Sequence, residues 1–191
     1  MYGAVEIAVK GVSRARRTAT SLIRVLWHNA TNFAYHAPLP LSTTVYGRIL
    51  TLEAPTRLRM GPNGKIGDSV YFATGRKSRI EIGESVFINV GCVIVASGLI
   101  EIGRNTSIAE YVTIRDQEHR VARGQGTRDQ GFVVAPVKIG ESVWIGRGVY
   151  IGPGASIGDG CVVAANSVVK GSFPPNVLIA GAPAVIKKDI G

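Results

Sequence analysis

Residues 139–169 read IGESVW, IGRGVY, IGPGAS, IGDGCV, VAANSV and V, with an aliphatic residue at every sixth position: Ile139, Ile145, Ile151, Ile157, Val163 and Val169. Gly follows each of the first four. Four residues after each of the first five stands a small or branched side chain: Val143, Val149, Ala155, Cys161 and Ser167. A period of six fits neither the 3.6 of a helix nor the two of a lone strand. It is the repeat of a parallel β-helix, in which three hexapeptides make one triangular coil and coils stack at about 4.8 Å.

The same step runs upstream through Ile82, Ile88 and Ile94, then through Ile102, Ile108 and Ile114, with Ile66-Gly67 opening an earlier repeat. The step from Ile94 to Ile102 is eight, so two extra residues enter one corner. Five or six coils follow, a prism roughly 25–30 Å tall at the strand spacing. The 24 glycines sit at fixed places in the repeat, where tight corners ask for residues that tolerate unusual φ.

The repeat breaks once. From Ile114 to Ile139 is 25 residues where a bare repeat needs six, so about 19 residues leave the prism as a loop. It carries Arg115, Asp116, Glu118, His119, Arg120, Arg123, Arg128 and Asp129. A solenoid has no structural need of such an excursion, and long loops on rigid scaffolds are where function concentrates.

Upstream, residues 4–30 contain no Pro, and Val5, Ala8, Val12, Ala15, Ala19, Leu22 and Leu26 form one apolar stripe at helical spacing. Lys10, Arg14, Arg17 and Arg24 fall off it. The stripe predicts a helix packed on its own coil or a neighbour's; a basic amphipathic helix resting on an anionic membrane surface is the alternative. The chain thus divides into an N-terminal helical segment and linker over 1–41, a β-helix over 42–170 with its loop at 115–138, and a C-terminal segment over 171–191. The prolines at 174 and 175 are expected to end the regular coil, with the remainder folding back as a cap.

Composition excludes several classes. Net charge is +9, of which residues 1–60 supply +6, from eight Lys/Arg and two Glu. A basic chain invites a nucleic-acid reading, yet no basic stripe interleaved with aromatics supports one. Cys92 and Cys161 both occupy the small-residue position of a repeat and read as reduced core thiols; a disulfide framework or metal site is not expected. No stretch is long and apolar enough to span a membrane, and the N-terminus lacks the layout of a secretory signal. The expected location is the cytoplasm, with any peripheral contact at the inner face of the membrane through residues 4–30.

The residues from about Phe87 to Lys188 resemble the hexapeptide-repeat acyltransferases, and within them the sugar O-acetyltransferases of the galactoside and maltose type. The likeness lies in FIN at 87–89, IEIGRN at 100–105, a His sixteen residues after Gly103, VWIG at 143–146, and FPPN with AGAP between 173 and 183. The resemblance implies a left-handed β-helix, a homotrimer, and coenzyme A bound between neighbouring prisms. By the same resemblance His119 matches the catalytic base and Asn89 an asparagine contacting the acceptor. Ser97 stands where the galactoside enzymes carry an acceptor-binding Asp, which puts galactoside specificity in doubt. Trp144 matches a tryptophan lining the site. Gly146, Arg147, Ala165 and Lys170 fall where the family grips the coenzyme, and Lys187 and Lys188 lie where a basic residue meets its phosphates. The bland readings beside these are a solvated loop histidine, an αL corner asparagine, a packing tryptophan and solvated surface cations.

The chemistry suits the residues. An alcohol is a poor nucleophile until its proton is leaving, and histidine, with an ordinary pKa of about 6.5, is substantially neutral at pH 7 and able to take it. Asp116 or Glu118 is expected to orient the ring, a backbone carbonyl being the alternative, and Asp116 is also expected to meet the acceptor. The expected activity is transfer of an acetyl group from acetyl-CoA to a sugar hydroxyl in surface-polysaccharide or lipopolysaccharide assembly. N-acylation of an amino-sugar and a non-catalytic repeat scaffold are the alternatives. The γ-type carbonic anhydrases share this expected shape but need three zinc histidines. Here two of the three, His28 and His36, lie in the N-terminal segment.

Overall fold

A computed structural model describes residues 18–31, 38–51, 57–75, 77–124, 126 and 130–191. The hexapeptide period becomes three parallel sheets. Sheet I has seven parallel strands, from Thr44–Val45 to Val177–Gly181, and an eighth, Ala184–Asp189, that runs antiparallel at its end. Sheet II has six strands, from Ile49–Thr51 to Val168–Val169, and sheet III six, from Leu58–Met60 to Ser172–Phe173. The molecule is a left-handed β-helix of about six turns.

The in-register stacking of the repeat aliphatics holds the prism together. Ile88, Ile108, Ile145, Val163 and Ile179 are successive partners in sheet I. Ile94, Ile114, Ile151 and Val169 repeat this in sheet II, and Ile102, Ile139 and Ile157 in sheet III. All are buried, each covering the one beneath, so the core is a continuous aliphatic column. Cys92 and Cys161 lie inside it, their thiols donating to the carbonyls of Ala109 and Pro174 at 3.1 and 3.0 Å.

The corner glycines divide into two sets, of which Gly91, Gly148, Gly154 and Gly160 take the positive φ expected of them. The Gly after each repeat aliphatic is absent from the positive-φ residues; those are Ser85, Asn105, Ser142, Asn166 and others, with Gly91, Gly148, Gly154 and Gly160. Close approach requires most of these post-aliphatic glycines instead: a Cβ on Gly103 would lie 2.5 Å from the backbone of Gly140 in the next coil, and those on Gly67, Gly83, Gly146 and Gly158 would meet backbone nearly as closely.

Two further expectations change. The coil does not end at Pro174 and Pro175. Ser172–Phe173 and Val177–Gly181 continue sheets III and I, and Ala184–Asp189 then folds back along the last strand. The helix over residues 18–31 packs on the first coil through Ser21, Val25 and His28, while Ala19, Leu22 and Leu26 of the expected packing stripe are exposed. Its earlier part, residues 4–17, lies outside the described residues. No helix among the described residues is long and apolar enough to cross a membrane.

Candidate active site

The expected loop is a β-arm. Gln117–His119 pairs antiparallel with Phe132–Val134, and the N–H of Ala135 donates to the carbonyl of Asp116 at 2.9 Å, closing the base. Glycines 124, 126 and 131 between the two strands mark the turn region. His119 is exposed on this arm, its ring 4.4 Å from that of Phe132 and tilted by 45°. Arg128 and Asp129 lie outside the described residues.

Neither carboxylate expected to orient the imidazole does so. Asp116 is wholly buried, and its two oxygens accept the N–H groups of Ser97 and Gly98, each at 2.7 Å. It therefore lies beneath the site and shapes the neighbouring corner; the expected acceptor contact gives way because no face of it is open. Glu118 reaches Lys170 Nζ at 3.2 Å and accepts from the Tyr150 hydroxyl at 3.4 Å. Burial and the Glu118 charge both push the Tyr150 phenol up from its ordinary value. Ser97 Oγ donates to the Gln117 side-chain carbonyl.

The remaining candidates fall at other edges of the prism. Ser97, Asp116, His119 and Lys170 all follow strands of sheet II, at the edge where the chain turns into sheet III. Asn89, Gly146, Arg147 and Ala165 sit at the preceding edge, between sheets I and II. There Asn89 Nδ2 donates to Glu110 at 3.4 Å, Arg147 pairs with Glu110 at 3.6 Å, and the Arg147 guanidinium lies 5.7 Å from the centre of the Tyr111 ring. Trp144, 59% exposed, stands on the outer face of sheet I, and Lys187 and Lys188 lie on the antiparallel strand closing that sheet. A single chain thus carries two groups of candidates separated by the outer face of sheet II.

That face is apolar and aromatic. Leu50, Tyr71, Val93, Thr113, Tyr150 and Val168 stack along it. The corresponding column on sheet III is Arg59, Glu81, Glu101, Lys138, Ser156 and Ser172, a solvated face. Phe132, Tyr111, Glu110, Gln117 and Tyr150 join the candidates without having been singled out in the sequence. Phe132 and Gln117 had a readable signal, the paired QEH and FVV stretches flanking a Gly-rich turn; Tyr111, Glu110 and Tyr150 had none. No group of three or more His, Cys, Asp or Glu among the described residues is arranged to hold a metal ion.

Residues 136–171 match the family model described as bacterial transferase hexapeptide (six repeats). The chain is 38% identical over 132 residues to the galactoside O-acetyltransferase of Escherichia coli K12, spanning 69% of this chain and 63% of that one, so it covers under two thirds of that relative's length. It is 35% identical over 144 residues to the putative lipopolysaccharide biosynthesis O-acetyl transferase WbbJ of the same strain, covering 69% of this chain and 71% of the relative. Among solved structures, a galactoside acetyltransferase in complex with coenzyme A superposes with a TM-score of 0.53 at 27% identity, over 78% of this chain and 66% of that one. An N-acyltransferase from Bacillus cereus reaches a TM-score of 0.71 at 17% identity, over 86% of this chain and 88% of that one, a likeness of fold.

Proposed function

Because this chain belongs to the hexapeptide-repeat acetyltransferases, we propose that it moves an acetyl group from acetyl-CoA to a hydroxyl of a sugar, with His119 as general base. The observation that carries the reading is the arm: a long excursion from the solenoid that presents an exposed imidazole, with the neighbouring Glu118 and Gln117 bonded to Lys170 and Ser97. The coenzyme A complex of the galactoside acetyltransferase supports acetyl-CoA as the donor. The relative named for lipopolysaccharide biosynthesis supports a surface-saccharide acceptor. The reading places the reaction in the cytoplasm, where the donor is made.

In the transfer, the neutral imidazole of His119 takes the acceptor's hydroxyl proton while that oxygen attacks the thioester carbonyl carbon. The C–S bond then breaks, and the imidazolium returns the proton to the departing thiolate, so that coenzyme A leaves as the thiol. No acyl-enzyme is needed, and both cysteines are buried.

The two groups of candidates come together when a second chain sets its edge between sheets I and II beside the arm of the first. Repeated around an axis parallel to the prism, that head-to-tail contact closes as a ring, and the homotrimer is the ring we propose. The apolar outer column of sheet II is the surface such a contact would cover. Arg147, Lys170, Lys187 and Lys188 would then supply cations for the phosphates of the donor, with Gly146 and Ala165 leaving room for its arm. Asn89, Ser97 and Trp144 would line the acceptor side.

Calorimetric titration with acetyl-CoA and free coenzyme A tests the reading without naming the acceptor. Micromolar to low-millimolar binding near one site per chain is expected. Absence of binding at millimolar ligand, in a folded protein, would leave a non-catalytic scaffold in its place. Matched hydroxyl and amino sugars offered side by side then decide between O- and N-transfer.

A further inference from the structure

The helix over residues 18–31 lies on the open edge of the first coil with its polar side inward. Ser21 Oγ accepts the Val45 N–H at 2.7 Å, and Arg24 donates to the carbonyls of Val45 and Tyr46 at 3.1 and 2.7 Å. Asn29 donates to the carbonyl of Leu39 at 2.9 Å and accepts its N–H at 2.8 Å. Strand Thr44–Val45 would otherwise present unpaired backbone at the end of the prism, and Ser21 and Arg24 satisfy it there. Spending the polar side on the edge turns the apolar side to solvent. Leu22, Ile23, Leu26 and Trp27 are 42, 65, 51 and 72% exposed. At about 100° per residue they share one side of the helix. A helix on a water-soluble protein ordinarily does the reverse, and a contiguous exposed apolar face marks a partner.

Charge selects that partner. Residues 7–52 contain no Asp or Glu, yet hold Lys10, Arg14, Arg16, Arg17, Arg24 and Arg48. Four of these cations, Lys10, Arg14, Arg16 and Arg17, lie just before the helix in sequence. A second copy of the chain would set like charge against like. A bilayer with anionic headgroups takes both the cations and the apolar side chains, and an amphipathic tryptophan suits its interface. We propose that this end of the prism docks on an anionic lipid bilayer, with Ile23, Leu26 and Trp27 seated at the boundary of headgroups and acyl chains.

The docking sets the height of the arm. His119 follows the fourth strand of sheet II, about 14 Å along the prism from the first coil at 4.8 Å per step. A saccharide carried on a lipid in the same surface is the acceptor class this height serves. That last step rests on the acetyltransferase reading; the docking does not.

The test sediments the full chain with vesicles of phosphatidylcholine, alone or mixed with phosphatidylglycerol. The wild type is expected to pellet with the mixed vesicles, less so at high salt, and to stay in solution with phosphatidylcholine alone. Ile23→Glu/Trp27→Glu is expected to lower partition by at least about tenfold, and Leu26→Asn, a milder change at an exposed position, to lower it in the same direction. Equal pelleting of wild type and variants overturns the proposal, as does wild type that stays in solution with both vesicles. A lipid-free assembly larger in wild type than in the variants gives the face to a second copy and overturns it too. Acetyl-CoA titration of the same variants separates this outcome from failure of the enzymatic reading.

Discussion

Lys170 Nζ lies 3.2 Å from Glu118 Oε1, tying the arm that carries His119 to the prism wall two coils further on. Both side chains are about half exposed, so the pair contributes at most about 1 kcal/mol to folding. Its worth lies in position. Glu118→Gln is expected to leave the denaturation midpoint almost unchanged while lowering kcat, by up to about 10²-fold if the arm shifts by an ångström. Lys170→Ala is expected to raise the KM for acetyl-CoA as well. Unchanged kcat in Glu118→Gln would remove the tether from the argument.

His119→Ala is expected to lose about 10²–10⁴ in turnover, the usual worth of a positioned general base, while still binding acetyl-CoA. Its ring is exposed and touches Phe132 on the arm, so the substitution leaves the prism intact. Near-normal turnover in the folded variant would refute the assignment.

Asp116→Asn probes the support beneath the site. The carboxylate accepts two N–H groups, from Ser97 and Gly98; an amide offers one oxygen and sets its NH2 against the other N–H. Leaving that buried donor unsatisfied costs about 1–3 kcal/mol, to be read from chemical denaturation. The corner bearing Ser97 should shift with it, so the acceptor KM is expected to rise while acetyl-CoA affinity holds. A variant as stable as wild type would show the corner held by other means.

The solenoid was legible because the six-residue period is repeated through nearly every coil: each of Ile88, Ile94, Ile108, Ile114, Ile145 and Ile151 lands in the column its spacing assigns. His119 was legible as the histidine of the one long interruption. What did not show was anything decided by contacts between distant residues. Asp116 reads as a loop carboxylate until the Ser97 corner is folded against it. Of the helix stripe, Ala19, Leu22 and Leu26 are described and share one exposed side; its direction depends on the edge strand at Thr44–Val45, whose need for hydrogen bonds outweighed burial of Leu22 and Leu26. Pro174 and Pro175 read as a stop because proline cannot donate within a ladder. They sit in the turn between Ser172–Phe173 and Val177–Gly181, where no donation is needed.

Gly103→Ala isolates the close-approach requirement. Its Cβ would sit 2.5 Å from the carbon and oxygen of Gly140, both backbone atoms that cannot rotate away. The coils would have to separate locally, at a cost of about 1–3 kcal/mol or more. Gly103 has no positive φ, so strain in the glycine's own backbone is not the cause. A variant with wild-type stability would show that the corner can shift freely.

Cys92 gives the fold a pH dependence of its own. Burial pushes its thiol up from 9.0 to about 11, against partial relief from nearby backbone hydrogen bonds at Val112 and Tyr111. In the unfolded chain the thiol ionises near its ordinary value, so above about pH 9 the unfolded state sheds a proton that the folded state keeps. The stabilisation is fully present below that pH and is lost as pH rises toward the folded value, with about 1.4 kcal/mol lost per unit in between. At pH 10.5 the loss amounts to about 2 kcal/mol. Ala155 already occupies the equivalent repeat position in another coil, so Cys92→Ala is expected to fold and supplies the comparison. Denaturation midpoints of both proteins at pH 8 and pH 10.5 are the measurement. The wild type is expected to lose about 2 kcal/mol more than the variant over that interval, and equal losses would show that the buried thiol does not set the alkaline limit.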